Sequence, residues 1–340
     1  MTPCRCAILP PYLLRAVLAR GSQQQRQRAR RTLVDDEVFR RLRGVVLERA
    51  TVGDDGSGPL RTVSDAGHTE QLPGRPVREE GAPPTGDLAV DEAYDGFGLT
   101  WQLYREVYGR DSVDAAGLPL LGTVHFSTDY DNAFWDGTRM VFGDGDGELF
   151  GRFTASVDVI GHELSHGVTE IEAALVYAGQ SGALNESVSD VFGSLVKQRA
   201  RGQSAEEADW LIGAELLRPG VDGVALRSMR APGTAYDDPV LGTDPQPASM
   251  DHFVVTDDDQ GGVHLNSGIP NHAFYLASVA AGGYAWETTG RVWYDALRDE
   301  ALAPDADFAA FAAVTVRVAP DDLRAAVHDA WQQVGVTLEA

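Results

Sequence analysis

The sequence predicts an α+β protein of two lobes, a mixed β/α N-terminal lobe followed by a mainly helical C-terminal lobe. Three observations carry this expectation. The 340 residues, 43% hydrophobic, suffice for a sizeable core and exceed what one domain usually holds. The stretch TVHFSTDYDNAFWDGTRMVFGDGDG, Thr123 to Gly147, reads as short strands broken by turns. From residue 157 onward, apolar positions recur at helical spacing between Gly/Pro breaks.

Taken in order, residues 1–50 read as an arm, helical from about residue 8, with Leu13, Leu14, Val17 and Leu18, then Leu33, Val38 and Leu42, at its apolar positions. Residues 51–87 are rich in Gly, Pro and charge without sustained periodicity, which predicts a linker or exposed loop. Residues 88–177 form the first lobe: an amphipathic helix from Leu88, the strands, then a helix over 157–177 with Val157, Ile160, Leu164, Val168, Ile171 and Leu175 on its apolar positions. The second lobe is expected over 178–340, opening with a helix after Gly182 that carries Leu184, Val188, Val191, Phe192, Leu195 and Val196.

Charge divides the chain. Residues 1–50 hold eleven arginines against Asp35, Asp36, Glu37 and Glu48, a net +7, and the remainder carries -30. An acidic body argues against a nucleic-acid partner. The basic arm is either a solvated tail or docks on the body of its own chain. No run of eighteen apolar residues suggests a membrane span. The first residues, interrupted by Pro10 and Pro11, make a poor secretory h-region, so no standard signal is expected there. Both cysteines, Cys4 and Cys6, lie in the arm, so the body has no disulfide framework.

The chemistry concentrates in DVIGHELSHG, Asp158 to Gly167. On a helix, His162 and His166 stand one turn apart on one face, as two neighbouring ligands of a tetrahedral zinc must. Glu163 is rotated about 100° away, unsuited as a ligand but able to reach a water on the metal as general base. Eight histidines in the chain leave room for a chance match. The next helix argues against one. Glu186, twenty residues beyond His166, can supply the third ligand, and Asp190 stands one turn further on, placed to accept the spare N–H of a ligand histidine. Both carboxylates could instead be exposed helix charges, but their setting in ALNESVSDVFGSLV is apolar. Thr169 and Glu172 occupy the positions where a metzincin carries its further Gly and His.

GHELSHGVTE, followed by YAGQSGALNESVSDVFG, resembles the thermolysin-like neutral metalloendopeptidases, and the resemblance runs from about residue 88 to the C-terminus. It implies a cleft between the lobes and one catalytic zinc held by His162, His166 and Glu186. It implies an edge strand at Asp131 to Gly137 with Asn132 and Ala133 gripping the substrate backbone, and Arg227 of LRSMRAPG on a substrate carbonyl. It also implies Tyr177 and His264 as donors to the oxyanion, with Asp259 orienting His264. One such donor is commonly worth about 3 kcal/mol. Glu163 would take a proton from water and pass it to the leaving amine. Carried over, the primed-side pocket comprises Phe150, Phe153, Val159, Ile212 and Leu226, which implies cleavage before large hydrophobic residues. Burying such a side chain is worth about 2–3 kcal/mol. Apart from the resemblance, His264 reads as a loop histidine beside glycines. His68, His125, His252, His272 and His328 are expected to be structural or exposed.

The sequence departs from the family at its double calcium site, where Asp158 and Asp209 persist but Lys197, Leu211 and Ala214 replace the other ligands. Lys197 is the only lysine in the chain. Its ammonium is expected to neutralise Asp158 and Asp209 in place of calcium. ILPPYLL, Ile8 to Leu14, and RARRTL, Arg28 to Leu33, resemble the short propeptides of protealysin-type members. This implies an inhibitory propeptide over residues 1–50 of a self-processing precursor, with the processing site in the 51–87 linker. Thr62–Val63 and Gln71–Leu72 suit the implied pocket. Cys4 or Cys6 could act as a thiolate ligand on zinc, although short propeptides of this kind do not need one. Family habit implies secretion and action on peptides and proteins, while the missing standard signal keeps an intracellular role open; a monomer is expected. An aminopeptidase would need an acidic anchor for a free amine, which the text does not offer. A dead partner-binding relative would not need Glu163, Tyr177 and His264 together.

Overall fold

Strand β4 (Ala133–Trp135) ends a five-stranded sheet and borders the cleft. The sheet runs β2-β1-β3-β5-β4, with β1 (Arg61–Asp65), β2 (Arg75–Glu79), β3 (Leu120–Val124) and β5 (Met140–Phe142) completing it. β1, β3 and β5 are parallel neighbours, while β2 and β4 pair antiparallel at the two edges. The fold is that of a computed structural model, which describes residues 7–42 and 58–337. Cys4, Cys6 and the arm's boundary at residue 50 lie outside the described residues.

The 51–87 segment expected as linker contains β1 and β2. Their apolar content is low, but β1 takes a full parallel register from β3, from Arg61 opposite Leu120 to Asp65 opposite Val124. That pairing, supplied by a strand about sixty residues away, is invisible to a local reading of composition. Thr62–Val63, suggested as a processing bond, lies inside β1 with Val63 fully buried. Gln71–Leu72 lies in the connection between β1 and β2.

Helix α3 (Leu88–Gln102) packs on the sheet and starts at Asp87, whose side chain accepts from the Ala89 and Val90 amides. Helices α4 (Val157–Glu172) and α5 (Gly179–Arg201) form the centre of the molecule and are buried along nearly their whole length. Their close approach depends on glycine. A Cβ on Gly193 would lie 2.3 Å from the Asp158 carbonyl oxygen, and one on Gly161 would lie 3.0 Å from the Gly193 Cα. The first helix stops at Glu172 rather than 177, because Ala173 and Ala174 both turn back to the Thr169 carbonyl and Ala174 is left-handed. Tyr177 is thereby freed from the helix and placed in the connection. The second helix begins at Gly179, before Gly182, and ends at a left-handed Gly202.

Beyond α5 the expected helical run is delayed: residues 203–258 are mainly loops and short ladders, and helices resume at Asp259 around a core where Trp293 stacks on Trp331 at 5.9 Å and Phe311 meets both edge-on. One of the two ladders, β6 (Leu211–Ile212) with β7 (Arg227–Ser228), sets Arg227 beside α5. Among the described residues, no helix is long and apolar enough to cross a membrane.

The arm forms α1 (Pro11–Arg20) and α2 (Gln23–Leu42), and α1 buries Leu13, Leu14 and Val17. Its arginines meet the body: Arg28 pairs with Asp129 at 3.0 Å and Glu148 at 2.9 Å, and Arg15 with Asp258 at 3.1 Å. The docked alternative is thus the one found. Exposed pairs of this kind add at most about 1 kcal/mol each, so the buried apolar face carries more of the docking.

Candidate active site

The one-turn spacing on α4 brings the two imidazoles together, His162 Nε2 lying 2.9 Å from His166 Nε2. Glu186 reaches them from α5, its oxygens 3.5 Å from each of these nitrogens. The other ring nitrogens are already engaged. His162 Nδ1 lies 2.8 Å from Asp190 Oδ1, and His166 Nδ1 lies 2.7 Å from Asn185 Oδ1. Those acceptors draw the protons to Nδ1, so the two Nε2 lone pairs face one another beside a carboxylate. Glu186 Oε2 is buried without a hydrogen-bond partner. Facing lone pairs and an orphaned carboxylate oxygen are costly unless a cation lies among them. Two nitrogens and one oxygen are a donor set that fits zinc with a position left open.

Glu163 accepts a hydrogen bond from the Trp135 backbone N–H on β4 at 3.0 Å, which ties its carboxylate to the edge strand. Tyr177 donates to Glu186, and its oxygen lies 3.3 Å from His264 Nε2. His264 is held by Asp259 twice, through its backbone N–H at 2.9 Å and its Nδ1 at 2.7 Å. This clasp needs left-handed backbone at Gln260, Gly261 and Gly262. Burial lowers the His264 pKa, but Asp259 and Glu186 outweigh it and raise it to about 9.

Arg227 is fully buried and makes two bonds to Asp190, Nε to Oδ2 at 2.8 Å and Nη2 to Oδ1 at 2.7 Å. Burial pushes the Asp190 carboxyl up, but Arg227 and His162 outweigh it and hold it well below the usual carboxylate range. Asp190 therefore joins His162 to Arg227.

Residues of the arm lie against Ala133, Asn132 and Arg227. The Ile8 N–H donates to the Ala133 carbonyl at 3.1 Å, and the Ile8 carbonyl accepts from Arg227 Nη1 at 3.1 Å. The Leu9 N–H donates to Asn132 Oδ1 at 2.9 Å, and Asn132 Nδ2 lies 3.4 Å from the Leu9 carbonyl. Phe150, Phe153, Val159, Ile212 and Leu226 are all buried, as are Ile8 and Leu9.

Sequence reasoning did not find several supports. Asn185 and Ser189 both face His166, and their positions beside Glu186 and one turn later were the available signal. Asn271, 2.8 Å from Asp190, has no sequence signal. Nor has Asp36 of α2, which accepts from the Tyr130 hydroxyl at 2.5 Å and from Asn132 at 3.0 Å.

At the far end of the α4–α5 pair, Lys197 Nζ lies 2.8 Å from Asp158 and 2.9 Å from Asp209, and it donates to the Leu211 carbonyl. Burial would lower the Lys197 pKa, but the two carboxylates outweigh it and raise it, which keeps the group charged. Arg201 adds to this cluster, on Asp209 at 3.3 Å and Glu215 at 2.6 Å. Ala214, with no donor side chain, contributes nothing to it.

The chain is similar to known proteins over nearly its whole length. The thermolysin metallopeptidase catalytic domain matches residues 67–170, and the thermolysin metallopeptidase alpha-helical domain matches residues 173–336. The chain is 52% identical over 338 residues to an extracellular metalloprotease of Pectobacterium carotovorum subsp. carotovorum, covering 97% of this chain and 96% of that protein. It is 46% identical over 343 residues to protease PrtS of Photorhabdus sp. (strain Az29), covering 98% and 92%. The structure of a precursor of protealysin, a metalloproteinase from Serratia proteamaculans, matches with a TM-score of 0.90 at 53% identity, covering 98% of this chain and all of that one. With identities this high over nearly the full length, and with a His-His-Glu donor set on α4 and α5, the chain belongs to the thermolysin metallopeptidases, in the protealysin-like subgroup, and is a zinc-dependent neutral endopeptidase.

Proposed function

We propose that this chain is a self-processing precursor whose mature form cleaves peptide bonds before large hydrophobic residues. The observation that carries the reading is Ile8. Its backbone takes the bonds a substrate residue would take from Ala133 and Arg227, and its apolar side chain is fully buried.

His162, His166 and Glu186 would hold the zinc, with Asp190 and Asn185 fixing the two rings. Bound there, zinc supplies a Lewis acid for the scissile carbonyl and acidifies a water. Glu163, anchored by the Trp135 N–H, takes the proton of the attacking water and delivers it to the leaving amine. Tyr177 and His264 donate to the developing oxyanion, and Asp259 fixes the ring of His264. Arg227 binds the next carbonyl, and Asn132 with the Ala133 backbone sets the register. Phe150, Phe153, Val159, Ile212 and Leu226 select a large apolar side chain.

In the precursor, the arm fills this cleft and acts as an inhibitor of its own chain. Gln71–Leu72 lies between strands rather than within one, so it suits processing better than Thr62–Val63. Lys197 takes the place of calcium, and secretion is supported by relatives named extracellular. A monomer requires no partner contribution to the cleft.

Glu163→Gln tests the reading. Purified wild type should lose its N-terminal arm and cut a peptide with an internal Leu or Phe on its N-terminal side. The variant should remain full length and be slower by about 10²–10⁴-fold. A variant that trims itself at the wild-type rate would overturn the assignment of Glu163. Cleavage after the hydrophobic residue, or at unrelated bonds, would overturn the pocket.

A further inference from the structure

The carboxyl ends of three adjacent parallel strands gather ligand-type side chains that the hydrolytic reading leaves unused. His68 follows β1, His125 follows β3 directly, and Asp144 follows β5. In open α/β sheets, ligands bind outside the carboxyl ends of parallel strands. His125 Nδ1 lies 2.8 Å from Asp144 Oδ2, and His68 Nδ1 lies 3.5 Å from the same oxygen. One donor atom from each of the three residues falls within 4.8 Å of the others. Ligand atoms about 2.0–2.1 Å from a tetrahedral zinc stand about 3.3 Å apart, so small shifts would admit an ion.

A fourth group orients the set. Asp87 caps α3 with one carboxylate oxygen and places the other 3.0 Å from His125 Nε2. His125 is thus flanked by carboxylates on both ring nitrogens, Asp144 on Nδ1 and Asp87 on Nε2, and an ion bound at Nδ1 would displace the proton shared with Asp144 while Asp87 keeps the ring in place. Asp190 serves His162 in the same way with the nitrogens exchanged. Both histidines also have left-handed backbone, φ 59° and 53°, uncommon for a side-chain-bearing residue.

We propose that His68, His125 and Asp144, oriented by Asp87, form a second metal site that takes zinc or a similar transition ion. Two imidazoles and one carboxylate suit such an ion, whereas calcium and magnesium take oxygen donors. The ion would clip the β1–β2 turn to the ends of β3 and β5. None of these residues lies on α4 or α5, so the site is separate from the hydrolytic one. The His68 side chain is 60% exposed, which leaves a coordination position to water and makes this the weaker of the two sites.

The test uses the full-length E163Q precursor, stripped of metal and dialysed against buffered zinc, compared with the same protein carrying His68→Asn. Asn tolerates left-handed backbone, and the ring it replaces faces solvent, so the fold should persist. The precursor should retain two zinc equivalents by elemental analysis and the H68N protein one, with the Tm rise on the second equivalent lost. One equivalent in both proteins, or two in both, would overturn the site. An Asp87–His125–Asp144 ionic chain without a metal predicts the first of those outcomes.

Discussion

Helices α4 and α5 carry two buried charge clusters built from the same two helices. Near the middle, His162, His166 and Glu186 converge as a donor set for a metal ion. One turn before His162, Asp158 faces Lys197 from α5, and the cation is part of the chain. The His162–His166–Glu186 set has a carboxylate oxygen, Glu186 Oε2, without a hydrogen-bond partner, as a site that would receive an ion requires. The Lys197 cluster is closed: Asp158 also accepts from the Ser156 hydroxyl at 2.6 Å and the Gly213 N–H at 3.2 Å. Identical helix packing thus yields a reactive site where the cation is borrowed and a structural one where it is covalent.

The largest effect on this comparison should come from removing the covalent cation. Lys197→Met leaves Asp158 buried without its charge partner, and breaking such a pair costs about 3–5 kcal/mol. Thermal denaturation should show the loss, and added calcium should leave the wild-type Tm unchanged. A rise of several degrees with calcium would mean that the ammonium does not replace the metal.

Gly193→Ala should come next, because it strains both clusters at once. The added Cβ meets the Asp158 carbonyl oxygen at 2.3 Å and the His162 nitrogen at 3.0 Å. Overpacking of this kind costs about 1–3 kcal/mol. Zinc retention should fall together with Tm, since parting the helices moves Glu186 away from the histidines. Unchanged zinc retention at lowered Tm would show that the centre tolerates the shift.

The smallest effect concerns the arm docked on the body through Ala133, Asn132 and Arg227. Asp35 on α2 is partly buried, and burial, followed by Glu70 and Asp36, raises its pKa to about 6. A raised carboxyl favours the protonated form in the docked arm. Docking is therefore strongest below the ordinary carboxylate value and weakens as pH rises through about 6. Hydrogen exchange of α1 and α2 in the E163Q precursor should quicken over that window. Asp35→Asn should flatten the dependence, and an unaltered profile would remove Asp35 as its source.

The core of the hydrolytic site was legible in the sequence because its geometry is local. His162 and His166 are ligand neighbours on any helix, and Glu186 and Asp190 repeat that spacing on the next one. The two lobes and the charge division of the arm were readable for the same reason, since periodicity and net charge need no tertiary knowledge. Only the tertiary structure decided that residues 61–79 join the sheet, because β1 draws its register from a distant strand. It alone joined Arg227 to Asp190 and Ile8, set Asp36 against Tyr130, and gathered His68, His125 and Asp144 from three strand ends. Each of these contacts spans turns whose direction is fixed by packing and backbone conformation, not by the spacing of residues along the chain.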